Sequence, residues 1–211
     1  MKIAACAICK NEEKNIPRWL ERTADFDYRI VVDTGSTDNS VRLLKEAGVF
    51  VVEKIFDLFR FDVARNYVLE FVPQDADWLV WPDFDEYYNK NWRNELERTV
   101  AAYPWITRLT YKTFHLIHGE MREGTESGTV MESKMHKHGV YRWEKPVHEY
   151  LVWTGETDST LSLRPRSGQD ITHKEAVKNV SGITRYHIHK PSKERDRHYF
   201  EIAKRGLDEN P

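Results

Sequence analysis

Cysteine is nearly missing from this chain: Cys6 and Cys9 are the only two in 211 residues. They stand as Cys-x-x-Cys, but no second pair exists to complete a zinc site. On a strand a spacing of three sends the two thiols to opposite faces, so the expectation is a pair of buried core thiols in a reducing compartment. Long hydrophobic runs are missing too. No stretch approaches the roughly 18 apolar residues of a membrane span, and the N-terminus lacks a convincing secretory h-region, which leaves a cytoplasmic protein as the expectation. There is no Lys/Arg stripe, because bases and acids are interspersed, and that argues against a nucleic-acid platform. Neither Gly-x-Gly-x-x-Gly nor Gly-Lys-Ser/Thr occurs, so neither a dinucleotide fingerprint nor a P-loop is supported. Histidine is absent from the first 114 residues.

What is present is a globular composition, 40% hydrophobic and 31% charged, with seven tryptophans and ten tyrosines for an aromatic-rich core or cleft. The length suits one domain spanning residues 1–211. The net charge of −2 is unevenly placed: residues 1–100 hold 14 basic and 19 acidic side chains, residues 101–211 hold 18 and 15. All nine histidines lie in that second, basic part, which could offer cations and metal ligands to something the acidic part helps to hold.

The first ninety residues alternate apolar β-prone runs with helical patterns. Strands are predicted at 2–9, 28–33, 49–52 and 78–81. Helices are predicted from Asn11 or Asn15 with Pro17 in the first turn, from a cap at Ser36 or Thr37 to about Ala47, and over 62–71. Gly48 follows the second helix where a positive φ is wanted. This alternation is that of a parallel sheet with helices on both faces, whose ligands sit beyond the C-terminal strand ends. The four tips are Lys10-Asn11-Glu12, Asp33 to Thr37, Glu53-Lys54 and Asp83-Phe84-Asp85, so the polar chemistry of the first half gathers along one edge. Beyond Glu86 the pattern predicts a helix over 92–102 and strands at 106–114, 130–136, 150–153 and 183–189. A polar loop at 119–128 has the composition of a lid, 161–180 is hard to read, and a charged helix follows Pro191. The last residues, 208–211, read more as a linker than as a packed terminus, which leaves room for further domains after residue 211.

Four groups of residues carry chemistry. Asp83 and Asp85 have Asp-x-Asp spacing at a strand tip; on an extended chain both would reach one hard cation, Mn²⁺ or Mg²⁺. A solvated acidic turn is the plain alternative. Asp33, before Gly35, could accept hydrogen bonds from a base or ribose, or belong to ordinary turn chemistry. His187 and His189 share one strand face, and either could complete a metal site begun by Asp85. Glu149, beside His148, could be a general base for a hydroxyl or a structural partner. His115, His118, His136 and His138 read as structural.

Taken together, the strand into Lys10-Asn11-Glu12-Glu13, the Val31 to Ser40 turn, Ala64-Arg65-Asn66 and Asp83-Phe84-Asp85-Glu86 resemble a nucleotide-sugar glycosyltransferase of the GT-A fold, family 2 type, in identity, order and spacing. The length and abrupt end also resemble the first domain of a large chlorella-virus glycosyltransferase. The resemblance implies an α/β Rossmann-like fold, with a mixed, mainly parallel sheet and a smaller acceptor-side β region. Residues 1–90 would form its nucleotide-binding half and residues 91–211 its acceptor-side half. It implies that Asp33 contacts uracil or ribose, with Ala7 to Lys10, Cys9 included, lining the base pocket and Phe84 beside the donor. Asp83 would face the ribose or the metal, Asp85 would ligate the cation, and His187 or, by preference, His189 would supply its C-terminal ligand. Arg65 and Lys193 would steady phosphate or sugar. Arg142-Trp143 to Val147-His148-Glu149 resembles an acceptor-side motif, with Glu149 as the base of an inverting enzyme. The His187 to Pro191 segment also resembles retaining families, so stereochemistry stays open. The implied activity is transfer of a hexose or deoxyhexose from a UDP-sugar to a hydroxyl of a glycan or glycoprotein. A sugar nucleotidyltransferase would need a glycine-rich loop after the first strand, which Lys10-Asn11-Glu12-Glu13 does not provide. A carbohydrate-binding module would have no use for two aspartates at a strand tip.

Overall fold

The computed structural model describes residues 1–117, 130–155 and 175–189. In chain order the elements are β1 (Ile3–Cys9), α1 (Ile16–Arg22), β2 (Tyr28–Asp33), α2 (Ser40–Glu46), β3 (Phe50–Glu53), α3 (Phe61–Leu69), β4 (Trp78–Val80), β5 (Glu86–Tyr88), α4 (Trp92–Ala102), β6 (Arg108–Ile117), β7 (Val130–Lys137), β8 (Tyr141–Glu144), β9 (Tyr150–Trp153) and β10 (Val177–His189). One eight-stranded sheet runs in the order β3-β2-β1-β4-β7-β6-β10-β5, and β8 and β9 form a separate hairpin. The first four strands are mutually parallel, as right-handed strand-helix-strand crossovers require. From β4 onward the sheet is mixed: β7 is antiparallel to β4 and to β6, β10 is parallel to β6, and β5 returns antiparallel along β10. The expected fold class, a mixed and mainly parallel sheet with a smaller β region, is the one observed.

Strand β1 divides the core by simple alternation. Ile3, Ala5, Ala7 and Cys9 enter one cluster with Ile16 and Trp19 of α1, Leu44 of α2 and Leu96 of α4. Ala4 and Cys6 enter the other with Val68 of α3, Trp81 and Trp143. The two cysteines are therefore free, buried and on opposite faces. Burial raises both thiols, Cys9 to about 12, so neither is a thiolate at neutral pH.

Several boundaries differ from the sequence pattern. Helix α2 begins at Ser40 with Asn39 at its N-cap, not with Ser36 or Thr37 capping it. Those two side chains are drawn into bonds with Asp33 and Asn11, which hold the loop out of the helix. Gly48 does take the left-handed conformation, at φ 73°. Strands β5 and β8 are too short to show a period in sequence, and β10 starts well before residue 183, inside the stretch that was hard to read. Among the described residues no helix is long and apolar enough to cross a membrane. The expected loop at 119–128, most of 161–180, the charged helix after Pro191 and the last residues lie outside the described residues.

Candidate active site

The C-terminal tips of β1 and β2 are bound into one floor. Strand register sets Cys9 beside Asp33, and Asp33 beside Glu53. Beyond the strands, the Asn11 amide donates to Ser36 Oγ at 2.8 Å, and Asn11 Oδ1 accepts from the Thr37 amide at 2.7 Å. The Glu12 amide donates to Ser40 Oγ at 2.8 Å, and the Glu13 carboxylate accepts from Asn39 Nδ2 at 2.9 Å. Asp33 accepts the Gly35 and Ser36 amides at 3.0 and 2.9 Å on one oxygen and the Ser36 hydroxyl on the other. Gly35, at φ 104°, supplies the left-handed residue this tight reversal needs. Asp33 thus shapes its own loop. The side chains of Ala7 and Cys9 point into the core, leaving only their backbone to any ligand, while Lys10 is exposed.

At the β4 tip the chain turns instead of extending. The Trp19 indole donates to the Pro82 carbonyl at 2.8 Å, and its ring stacks on buried Phe84 at 4.9 Å. The Glu86 amide then closes back on the Asp83 carbonyl at 2.9 Å. As a result Asp83 and Asp85 have different partners. Asp83 accepts from Arg65 Nη2 on both oxygens, at 3.1 and 3.0 Å, and from Lys134 Nζ at 2.6 Å. Burial alone would raise its carboxyl, but those two cations hold it well below the usual carboxylate range. Asp85 instead meets His187, with Oδ2 3.1 Å from Nε2.

The second contact depends on β10 lying antiparallel to β5, which sets His187 opposite Glu86, and on the Ile188 amide donating to the Asp85 carbonyl at 2.8 Å. One ligand atom each from Asp85, Glu86 and His187 lies within 4.8 Å of the others. Carboxylate oxygen with one imidazole suits Mn²⁺ or Mg²⁺, so the donor set fits a divalent cation. Burial by itself would lower His187, but the hydrogen bond and charge of Asp85, with Glu86 behind it, hold the imidazole above its ordinary value. His189 pairs through its backbone with Ile117; its side chain, like Lys193, lies outside the described parts.

Arg65 is 2% exposed and links two candidate residues. Its Nε donates to Glu149 Oε1 at 2.7 Å while Nη2 holds Asp83, and its plane lies 5.0 Å from the Trp143 ring and 5.4 Å from that of Trp81. Next in the helix, Asn66 clamps the hairpin: its amide donates to the Trp143 carbonyl and accepts from the Trp143 amide, both at 2.8 Å. Ala64-Arg65-Asn66 therefore fixes the turn between β8 and β9 against the sheet. That turn holds Lys145 and His148 at φ 82° and 53°, and Glu149 follows it directly. Left-handed backbone at two non-glycine residues is costly, and the packing against α3 sustains it.

The sequence reading missed Lys134 and Arg185. Lys134 Nζ bridges Asp83 and Glu86, and Arg185 Nη1 donates to Glu86 Oε1 at 2.6 Å while its other arm pairs with Glu132. One signal was available: Glu132, Lys134 and His136 alternate along β7, as Arg185 and His187 do along β10. A row of alternating charges reads as a solvated face, but here the β4 tip and β5 cover it. His136 behaves as expected of a structural histidine, accepting the Trp81 indole on Nε2 at 2.9 Å, with burial pushing it down to about 4.

Residues 5–104 match the sequence family described as Glycosyl transferase family 2. A TPR repeat-containing protein of Synechococcus elongatus is 26% identical over 168 residues, covering 77% of this chain and 37% of that protein. An uncharacterized glycosyltransferase of Rickettsia felis is 31% identical over 117 residues, 55% of this chain and 40% of that one. The chain thus spans about two fifths of the length of the curated relatives it matches. These relatives are bacterial and lend the viral resemblance no support. Among solved structures, glucosyl-3-phosphoglycerate synthase from Mycobacterium tuberculosis, in complex with Mn²⁺, UDP-glucose and phosphoglyceric acid, superposes with a TM-score of 0.54 at 19% identity, covering 95% of this chain and 77% of that one. The protein therefore has the GT-A fold, and residues 5–104 are similar to glycosyl transferase family 2.

Proposed function

We propose that this chain is a metal-dependent glycosyltransferase that moves a hexose or deoxyhexose from a UDP-sugar to a hydroxyl of a glycan or glycoprotein. The observation that carries this reading is the meeting of Asp85 with His187, 102 residues apart in sequence, at the edge where the β1, β2 and β4 tips also converge. The Rickettsia relative is named a glycosyltransferase, and the mycobacterial structure holds Mn²⁺ with UDP-glucose, which supports donor and cation of these kinds.

Asp85 and His187 would hold the cation, with His189 a further ligand by sequence spacing. When bound, that cation supplies positive charge against the departing diphosphate. The stitched β1–β2 floor, with Lys10 exposed beside it, would receive the nucleoside. Asp33 would present its loop, and not a free carboxylate, to the base or ribose. Asp83, engaged by Arg65 and Lys134, would act on the donor through those cations, and Lys193 would add charge from the C-terminal segment. Glu149 has Oε1 committed to Arg65. Among the described residues its Oε2 has no hydrogen-bond partner, so that oxygen would take the acceptor proton in an inverting transfer. Two buried, unpaired thiols suit a reducing cytoplasm.

The test is calorimetric titration of a UDP-sugar panel with Mn²⁺ and then with chelator. Binding that requires the cation and is lost in Asp85→Ala is the expected result. Cation-independent binding, or none to any UDP-sugar, would remove the metal reading or the donor reading respectively.

A further inference from the structure

Three candidate ligands lie together, yet they are not equally available to a cation. The Asp85 side chain is 30% exposed and meets His187. The Glu86 side chain is 3% exposed and enclosed by positive charge. Its Oε1 accepts Arg185 Nη1 at 2.6 Å and Lys134 Nζ at 3.1 Å, and its Oε2 accepts the Asp83 amide at 3.3 Å. Asp83 is committed in the same way to Lys134 and Arg65. Arg185 is fixed in turn by Thr113 Oγ1 at 3.2 Å and by Glu132. Swinging Glu86 toward a metal would break its buried pairs with Lys134 and Arg185, and swinging Asp83 would break its pairs with Lys134 and Arg65. Each move leaves those cations with one carboxylate in place of two, and breaking buried ion pairs is costly.

We propose that Lys134 and Arg185 are positioning residues that hold Glu86 and Asp83 off the cation, so that Asp85 and the histidine side supply the ligands and the donor diphosphate completes the shell. The inference rests on the metal-dependent reading above and extends it to order of binding. With one carboxylate in place of three, the chain offers a divalent ion little charge by itself. Diphosphate oxygens provide the remainder, so cation and donor should bind cooperatively, each waiting on the other.

The test is titration of the full chain with Mn²⁺ followed by electron paramagnetic resonance of the free ion, with and without UDP. Wild type should bind Mn²⁺ weakly alone and about tenfold or more tightly with UDP, within the usual range of coupling between sites. Lys134→Met should tighten Mn²⁺ binding in the absence of UDP by about tenfold and shrink the coupling correspondingly, and Lys134→Arg should restore wild-type behaviour. A folded Lys134→Met protein with unchanged Mn²⁺ affinity would overturn the proposal. A second pair decides the matter even if Lys134→Met does not fold: Asp85→Asn should lose Mn²⁺, whereas Glu86→Gln should bind it within about twofold of wild type, a change that counts as no coupling. Equal loss in both variants makes Glu86 a ligand and overturns the guarding role alone. No Mn²⁺ binding by wild type, with UDP or without, overturns this inference together with the metal-dependent reading on which it rests.

Discussion

The two halves of the sheet edge are held by different physics. At the β1 and β2 tips the work is done by short polar side chains on backbone amides: Asn11, Asp33, Ser36 and Ser40 satisfy loop groups that the strands and helices leave over. At the β4, β7 and β10 edge it is done by buried charge, in a chain of contacts from Glu149 through Arg65, Asp83, Lys134 and Glu86 to Arg185. Loop bonds of the first kind are individually modest and replaceable by water. Buried ion pairs are different: intact they add little net stability, but breaking one leaves a desolvated charge behind. The floor proposed for the nucleoside is built from side chains bound to backbone amides, while the edge proposed to handle cation, diphosphate and proton is built from charge paired with charge.

The sharpest way to separate the halves is chemical. Glu149→Gln should cut transfer by about 10²–10⁴, the usual worth of a general base, while UDP binding at the β1–β2 floor is unchanged by calorimetry. Full activity in that variant would argue for a retaining reaction or for another base. Next comes Arg185→Met, which removes the guanidinium shared by Glu86 and Glu132 and should cost about 3–5 kcal/mol in urea denaturation. A loss under 1 kcal/mol would mean that the buried charges are not mutually dependent as described. His136 offers a smaller, reversible probe of the same interior. Its folded value of about 4 lies below the ordinary 6.5, so the unfolded chain gains a proton first as pH falls. Its contribution is therefore intact above about 6.5 and is eroded on the way down to 4, amounting to about 2 kcal/mol at pH 5. His136→Gln should flatten that part of the stability profile; an unchanged pH slope would assign it to other groups. The smallest effect belongs to the amide-bonded edge: Ser36→Ala removes one hydroxyl from the β1–β2 floor and should cost about 1 kcal/mol, read as a shift in denaturation midpoint.

Legibility followed the same division. The first four strands were visible because each is an apolar run ending in turn residues, and a parallel order follows from helices between them. Asn11 to Glu13 and Asp33 to Asp38 were visible as turn chemistry, although the sequence did not say that Ser36 would bind Asp33 and leave the helix to start at Ser40. The Asp83-Phe84-Asp85 tip was recognised, yet an extended tip was assumed. The Trp19 contact with Pro82 turns it, sending Asp83 to Arg65 and Asp85 to His187. The alternation that carries Lys134 and Arg185 does not distinguish a site from a surface, because a charged residue alternating along a strand has the same pattern whether water or a carboxylate covers it. The preference for His189 over His187 falls on a side chain outside the described parts.

By itself, then, the sequence determined what periodicity and local bonding can carry: strand and helix order, the placing of both cysteines in the core on opposite faces, and the edge on which acidic and turn residues collect. Local terms suffice for these, since each is set within a few residues of chain. Only the tertiary structure decided which charges meet. Asp85 with His187, Arg65 with Glu149 and Lys134 with Asp83 are separated by 102, 84 and 51 residues, and each pairing is fixed by strand order and by the cost of leaving a buried charge alone.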